Sequence, residues 1–358
     1  MRDMKEVFNV FKGRRVFITG HTGFKGSWLA YMLHRVGADV TGFSLSASRE
    51  KNNFSLLALD KKVNHIIGDV RDFSHLNESL TKFQPEFVFH LAAQALVRTS
   101  YSDPVDTFST NIQGSINLLE SVRQSNSVRS LVYITSDKCY ENVEWIWGYR
   151  ENDPLGGRDP YSASKAAAEI VFSSYEKSFF NSNPKIGVAS ARAGNVIGGG
   201  DWALDRIIPD CVRAIESDTT IFLRNPFSTR PWQHVLEPLS GYLTLAFNLY
   251  HNPKKYSGAW NFGPSTQEIK TVKDVADIMV KHIGKGRVEI LNSANNIHEA
   301  NLLQLNCDKA HQLLNWYPRW TVGETLDATA IWYKSVLNGG DAEEITISQL
   351  NAYFRSFI

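Results

Sequence analysis

Two kinds of hydrophobic pattern take turns along the first half of the chain. One is a short, nearly unbroken apolar run: "RRVFITG", "ADVTGFSL", "VNHIIGDV", "EFVFHLAA", "SLVYITSDKCY" and "KIGVASARAGNVIG". The other is a longer stretch of mixed character with helical spacing: "FKGSWLAYMLHRVG", "DTFSTNIQGSINLLESVRQS" and "PYSASKAAAEIVFSSYEKSFF". Runs that are apolar throughout, rather than at every second position, predict strands covered on both faces. Strands that alternate with helices predict a parallel sheet. The expected fold class is therefore α/β, a doubly wound Rossmann sheet.

After about residue 198 the pattern changes. "GGGDWALDRIIPDCVRAIESD" is a glycine-rich loop leading into a helix, shorter strands follow in "TIFLRN" and "GAWNFGP", and "TVKDVADIMVKHIG" reads as a helix. These features predict a first domain over 1–198 and a smaller α/β substrate-binding domain over 199–358. "RPWQHVLEPLSGYLTLAFNLY" is apolar enough to return to the first core, within a segment near 230–262.

Composition narrows the function classes. The 358 residues are 43% hydrophobic and 21% charged, with a formal net charge of +1. No broad field recruits nucleic acid or an anionic membrane, so an anionic ligand must be held locally. Cys139, Cys211 and Cys307 are scattered and lack metal-ligand spacing, which predicts a reduced, cytoplasmic protein with no metal centre. "MRDMKEVFNVFKGRR" reads as an amphipathic lead-in rather than a signal peptide. No run reaches the roughly 18 apolar residues of a membrane span.

The first apolar strand runs into Gly20-His-Thr-Gly23-Phe-Lys-Gly26 and then into a helix. A helix N-terminus carries unpaired N–H groups and partial positive charge, and glycine lets backbone approach a pyrophosphate closely. In this strand–turn–helix context the glycines predict a dinucleotide site. The usual acid at the end of the second strand is missing. Asp39 lies at the wrong end, and Ser44 stands at the right one. NAD with a weaker ribose grip is the first reading, and Arg49 or Lys51 meeting a 2′-phosphate keeps NADP open. Gly20, Thr22, Gly23, Phe24, Lys25, Gly26, Ser44, Asp69, Val70, Ala92 and Ala93 are the expected cofactor contacts, with Tyr161 and Lys165. Asp69 could accept from the adenine amino group or cap a helix.

The chemistry gathers at two places. The fifth strand ends in Thr135-Ser136-Asp137-Lys138, and Tyr161 and Lys165 stand four apart at a helix start, on one face. An ammonium beside a phenol favours the phenolate, so Lys165 is expected to lower the Tyr161 pKa and make it a general base. Ser136 can bond the reacting oxygen.

These residues carry a resemblance. The chain resembles the extended short-chain dehydrogenases/reductases over nearly its whole length. Among them it is similar to the nucleotide-sugar 4,6-dehydratases, most of all those acting on CDP-glucose. "GHTGFKGSWL", "HLAAQALVRTSY", "TSDKCYEN", "WGYREND", "PYSASKAAAE" and "RAGNVIGGGDWA" carry it. The resemblance implies oxidation at glucose C4, loss of water across C5 and C6, and hydride return to C6, with NAD regenerated. It makes Tyr161 the first base, Asp137 the acid on the departing hydroxyl, and Lys138 a departure from the family's glutamate. A neutral Lys138 would be the C5 base, and a charged one would steady the enolate. By the same resemblance Asn195, Arg206 and Arg230 hold the diphosphate, and Glu299 accepts from the cytosine amino group. It also implies a homodimer or homotetramer built on the helices 105–125 and 161–180, and dideoxysugar assembly for a surface polysaccharide such as lipopolysaccharide O-antigen.

Trp145, Trp147 and Tyr149 read as loop packing, and Asn111 as a helix-interior residue bonding backbone near the site. Two other classes compete. A nucleotide-sugar 4-epimerase shares Ser136, Tyr161 and Lys165 but has no use for Asp137-Lys138. A cofactor-sensing regulator would need only the glycine turn.

Overall fold

The structure is a computed structural model that describes residues 3–47, 51–265, 270–290, 302–355 and 357. Six apolar runs form β1 (Arg15–Thr19), β2 (Asp39–Ser44), β3 (Asn64–Ile67), β4 (Phe87–His90), β5 (Ser130–Ile134) and β6 (Gly187–Arg192). A seventh strand, Gly258–Asn261, pairs parallel with β6. The order across the sheet is 258–261, β6, β5, β4, β1, β2, β3, with every neighbour parallel. Strand order reverses between β1 and β4. Chain segments leaving those two carboxyl ends diverge to opposite faces, which opens a crevice there.

The sheet is covered on both sides, as unbroken apolar strands require. One face carries a core that includes Phe17, Phe43, Leu118, Leu131, Tyr133 and Phe172. The other carries a larger core that includes Ile18, Trp28, Val132, Leu239, Leu243 and Trp260. The helix Leu236–His251 supplies much of that second core and packs on β5 and β6, so the returning segment brings in both a helix and the seventh strand. The lead-in is the helix Met4–Phe11, whose Met4, Val7, Phe8 and Phe11 are buried. That is the one-sided spacing of a helix laid on a core.

Some expected elements are subdivided. The long helix before β5 starts earlier and consists of Val97–Ser102, Pro104–Phe108, a wide turn Ser109–Gln113 and Gly114–Gln124. Asp103 caps the second piece and Pro104 has no N–H to extend the first, which forces the break. The run after β6 leaves the sheet at Arg192, and Val196–Ile197 pairs instead with Gln233–His234.

Beyond the sheet, Thr220–Leu223 pairs with Arg287–Ile290, and Thr229–Arg230 with Lys270–Thr271. Helices Ile207–Glu216 and Val272–Ile283 pack together over them. A cleft of about 1740 Å³ lies between these elements and the carboxyl ends of the sheet strands. A pocket for one drug-sized ligand is roughly 300–1,000 Å³, so this one has room for two ligands. Cys139, Cys211 and Cys307 are free thiols, all buried. Among the described residues no helix is long and apolar enough to cross a membrane, and no three metal-ligating side chains cluster.

Candidate active site

The glycine turn forms one end of the cleft. Gly20 has φ +75°, and a Cβ there would lie 2.6 Å from the Ala92 backbone nitrogen. A Cβ on Gly26 would lie 2.1 Å from the Gly20 carbonyl oxygen. Strand, turn and helix therefore touch through bare backbone. Gly23 caps the helix Phe24–Arg35 and faces the cleft, where a Cβ would meet only the Gly20 oxygen at 3.3 Å. That is an open cradle at a helix N-terminus, the shape and charge a pyrophosphate requires. Ser44, at the end of β2, bonds the Thr22 hydroxyl and donates to the Leu45 carbonyl at 2.9 Å. Asp69 neither caps a helix nor stands alone. Arg71 grips its carboxylate at 2.9 Å and also reaches Asp106, while Asp72 caps the next helix. Val70, Phe24, Ala92 and Ala93 line the same cleft.

The reactive groups meet beyond the ends of β5 and β6. Ser136 caps a short helical turn, Asp137–Cys139, which aims Asp137 back toward the serine. The Ser136 hydroxyl donates to the Asp137 carboxylate at 2.8 Å and accepts from the Lys138 N–H at 3.2 Å. The Tyr161 phenol lines the cleft beside it. Asp137 lies so close to Gly194 that a Cβ there would stand 1.9 Å from its Oδ2. Asp159 and Ser162 form a capping box at the start of the helix Pro160–Tyr175, with Pro160 in its first turn, and so fix where Tyr161 and Lys165 emerge.

The electrostatics correct one expectation. Burial pushes the Tyr161 phenol up to about 12, against the pull of the Ser136 bond and of Arg206. Asp137 and Arg206 are the strongest charges acting on it. Burial brings Lys165 itself down to about 8, and its main partners in charge are Cys139 and Glu169. Desolvation of the phenolate outweighs the Arg206 guanidinium.

A second lysine enters the same corner. Lys25 reaches from the glycine turn to sit 5.9 Å from the Tyr242 ring centroid. Burial lowers it to about 7; Lys165 and Arg206 push the same way, and Asp137 opposes them. Lys138 lines the cleft, and its ammonium makes no hydrogen bond or ion pair among the described residues, with Glu141 or Asp137 included. Arg206, ahead of the helix Ile207–Glu216, is held at 2.9 Å by Asp201 on the Tyr161 side of the cleft.

Directly behind the reactive groups lies a buried ion pair. Arg192 and Glu169 meet at 2.7 Å, both nearly inaccessible. Glu169 also accepts from Thr135 and from Ser190 at 2.9 Å, and Arg192 donates to the Tyr140 hydroxyl at 2.7 Å. The sequence reading passed over this network, although Glu169 stands one turn beyond Lys165. It also passed over Arg98 and Arg224, which converge on Asp205 at 3.5 and 3.3 Å at the cleft wall. Asn111 behaves as expected: it bonds the Gln94 backbone at both ends of its amide and Ser164 at 2.8 Å. Asn195, at φ +51°, and Arg230, whose guanidinium donates to the Thr229 carbonyl, line the far side of the cleft. Glu299 lies outside the described residues.

The family described as GDP-mannose 4,6 dehydratase matches residues 17–329, nearly the whole of this architecture. The chain belongs to that family. A CDP-glucose 4,6-dehydratase of Salmonella typhimurium is 50% identical over 337 residues, covering 93% of this chain and 94% of that one. Two solved structures share the fold. A UDP-glucose 4-epimerase of Thermus thermophilus in complex with NAD is 26% identical, covers 89% of this chain and 99% of its own, and has a TM-score of 0.76. A dTDP-glucose 4,6-dehydratase of Streptomyces venezuelae with NAD bound is 22% identical, covers 91% and 99%, and has a TM-score of 0.78. In this member of the family a phenol, a serine hydroxyl, a carboxyl group and three lysines line one cleft, a set able to move several protons.

Proposed function

We propose that the chain is a NAD-dependent CDP-glucose 4,6-dehydratase, converting CDP-glucose to CDP-4-keto-6-deoxyglucose and water. The observation that carries this reading is Asp137, hydrogen-bonded to Ser136 beside Tyr161, an acid for which a 4-epimerase has no step. The Salmonella relative, matched along nearly the full length of both chains, supplies the nucleotide.

The residues fit the cofactor: the Gly20–Gly26 turn leaves a bare cradle at a helix N-terminus. Bound there, NAD supplies the hydride acceptor for C4 and the hydride donor for C6. Tyr161 takes the C4 hydroxyl proton while Ser136 holds the oxygen. Lys165, on the same helix face, offsets the phenolate charge. The C4 ketone acidifies C5, and Lys138 removes that proton and later returns one. Asp137 protonates the C6 hydroxyl as it leaves as water. Asn195, Arg206 and Arg230 take the diphosphate of the CDP moiety, with arginine forks on its oxygens.

A homodimer joins the helices before β5 and the tyrosine helix. Val105 and Ile170, 76% and 59% exposed, with Phe108 and Phe179, support that contact, whereas Leu119 faces the core. Free buried thiols support a cytoplasmic site of action. A 4-keto-6-deoxy product suits dideoxysugar assembly.

Incubation with NAD⁺ and, separately, CDP-, dTDP-, UDP- and GDP-glucose in heavy water tests the reading. Loss of one water with deuterium at C5, from CDP-glucose alone, is the expected result by mass spectrometry. Inversion at C4 without water loss would hand the site to a 4-epimerase.

A further inference from the structure

The cleft wall carries a cluster that the proposed reaction does not use. Arg98 stands on the helix Val97–Ser102, which follows β4. Asp205 precedes the helix Ile207–Glu216, and Arg224 follows the strand Thr220–Leu223. The sheet side of the cleft and the elements beyond the sheet therefore meet at one carboxylate. All three side chains line the cleft and are partly exposed.

The contacts are loose. Arg98 Nε lies 3.5 Å from Asp205 Oδ1, and both terminal nitrogens of Arg224 lie 3.3 Å from the same oxygen. A guanidinium fully engaged with a carboxylate sits at about 2.7–2.9 Å. Arg206 does so on Asp201 at 2.9 Å, and Arg192 on Glu169 at 2.7 Å. Among the described residues Asp205 Oδ2 accepts no hydrogen bond and the Arg98 guanidinium donates none. Asp210, the next carboxylate along, is taken by Arg213. Two guanidinium groups thus share one oxygen of one carboxylate, which leaves one positive charge over and most of their N–H forks unused. Asp205 is also held in the left-handed region, at φ +58°, as is Asn195 on the far side of the cleft at φ +51°. Side-chain-bearing residues held there cluster at ligand clamps.

Planar forks with charge to spare suit a larger anion with more oxygens than a carboxylate. A diphosphate is such an anion, and arginine meets its oxygens bidentately. The proposed reaction brings two diphosphates to the cleft, that of NAD and that of the nucleotide sugar. The first has its cradle at Gly20–Gly26. Asp205 adjoins Arg206 in the chain, and Arg224 belongs with Arg230 to the elements beyond the sheet.

We propose that Arg98 and Arg224 grip the diphosphate of the nucleotide sugar from the two walls of the cleft, and that Asp205 is the placeholder it displaces. Phosphate oxygens take the guanidinium forks as the carboxylate lets them go, and no covalent bond changes. Asp205 is a positioning residue and a competitor at once. It keeps the forks aimed into the cleft and lowers the affinity of the anion that replaces it. The inference rests on the reading of the substrate as a nucleoside-diphosphate sugar.

Calorimetric titration of the full chain with CDP, and separately with NAD⁺, tests it. Arg98→Gln and Arg224→Gln should each weaken CDP binding by about 10-fold, the loss of a hydrogen bond to a charged group, and leave NAD⁺ binding within about twofold. Asp205→Asn keeps the side-chain shape and suits the left-handed backbone, so it should fold. It should bind CDP about 2- to 5-fold more tightly, the worth of exposed ion pairs that no longer compete. A cluster that only braced the cleft wall would lose affinity, or change nothing, in all three variants. Unchanged CDP binding in both arginine variants, no gain in Asp205→Asn, or a loss confined to NAD⁺ would overturn the proposal and leave the dehydratase reading intact. A wild-type protein that binds dTDP, UDP or GDP in place of CDP would overturn the nucleotide and not the arginine pair, whose variants should then weaken that ligand equally. A wild-type protein that binds no nucleoside diphosphate would overturn both.

Discussion

Two sets of ionisable groups stand at the tyrosine helix, and they are treated in opposite ways. Behind it, Glu169 and Arg192 face each other at 2.7 Å, and each oxygen of the carboxylate has a donor, from β6 or from Thr135 just past the end of β5. In front, Lys25 and Lys138 end in the cleft without an ion pair among the described residues, and Lys165 is brought down to about 8 by burial. The paired set ties β5, β6 and the helix into one rigid frame. The unpaired set has valences left over for substrate, and in Lys25 and Lys165 a shifted protonation to use on it. A group whose bonds are all made inside the protein cannot do chemistry on something else. Rigid support behind and open valence in front is what holding a phenol and a carboxyl in register requires.

The contrast is tested most severely in the front set. Tyr161→Phe removes the C4 base while keeping the ring. Turnover should fall by about 10²–10⁴-fold, with NAD⁺ binding, followed by calorimetry, little altered. Retained turnover would show that the phenol is packing alone and would erase the distinction. The next largest effect belongs to the back set. Arg192→Met leaves Glu169 buried and unpaired, which should cost about 3–5 kcal/mol in urea unfolding. Equal stability would mean that the pair is not what holds the frame.

Lys25→Met should have the opposite sign. Its folded pKa of about 7 lies below the ordinary 10.5, so the unfolded chain binds the proton more tightly between those values. The penalty is fully present below about pH 7 and vanishes above about 10.5. The variant should therefore gain about 1 kcal/mol at neutral pH, a figure discounted for the solvent in the cleft, and lose that advantage as pH rises. Its activity profile should lose any limb near pH 7. A thermal-shift series from pH 6 to about 10.5 showing a gain independent of pH would place the effect in packing, not in charge.

The same division explains what could be read from the chain. The glycine turn was legible because its demands are local: Gly26 must approach Gly20, and three residues of spacing say so. Tyr161 and Lys165 were legible because one helical turn puts them on one face. The sense of the Tyr161 shift was not legible, because it depends on how much protein surrounds the phenol, and no spacing carries that information. Nor does the sequence announce that Arg206, Tyr242 and Lys25, from three separate elements, would converge on Asp137 and Tyr161. Glu169 looked like another polar residue of an alanine-rich helix until Arg192 arrived from β6. Nor does spacing announce the tie on Asp69, where Arg71, two residues on, folds back to take the carboxylate.

The smallest effect is expected outside both sets, and it guards against reading function into every aromatic near the cleft. Trp147 lies between the two reactive segments of the chain, which invites a stacking role on the base. It is 66% exposed, does not line the cleft, and touches Trp145 edge-on at 5.8 Å. The loop is anchored elsewhere, by Tyr149 stacked on Tyr140 at 5.1 Å and by backbone bonds from Tyr149 to Gln304 and from Asn306 to Tyr149. An exposed side chain away from such anchors contributes little to folding, so Trp147→Ala should change stability by no more than about 0.5 kcal/mol. The KM for CDP-glucose should stay within about twofold, since a ring that never meets the substrate has no binding energy to lose. A rise in KM of about tenfold with kcat unchanged would move Trp147 onto the nucleotide and extend the front set beyond its ions.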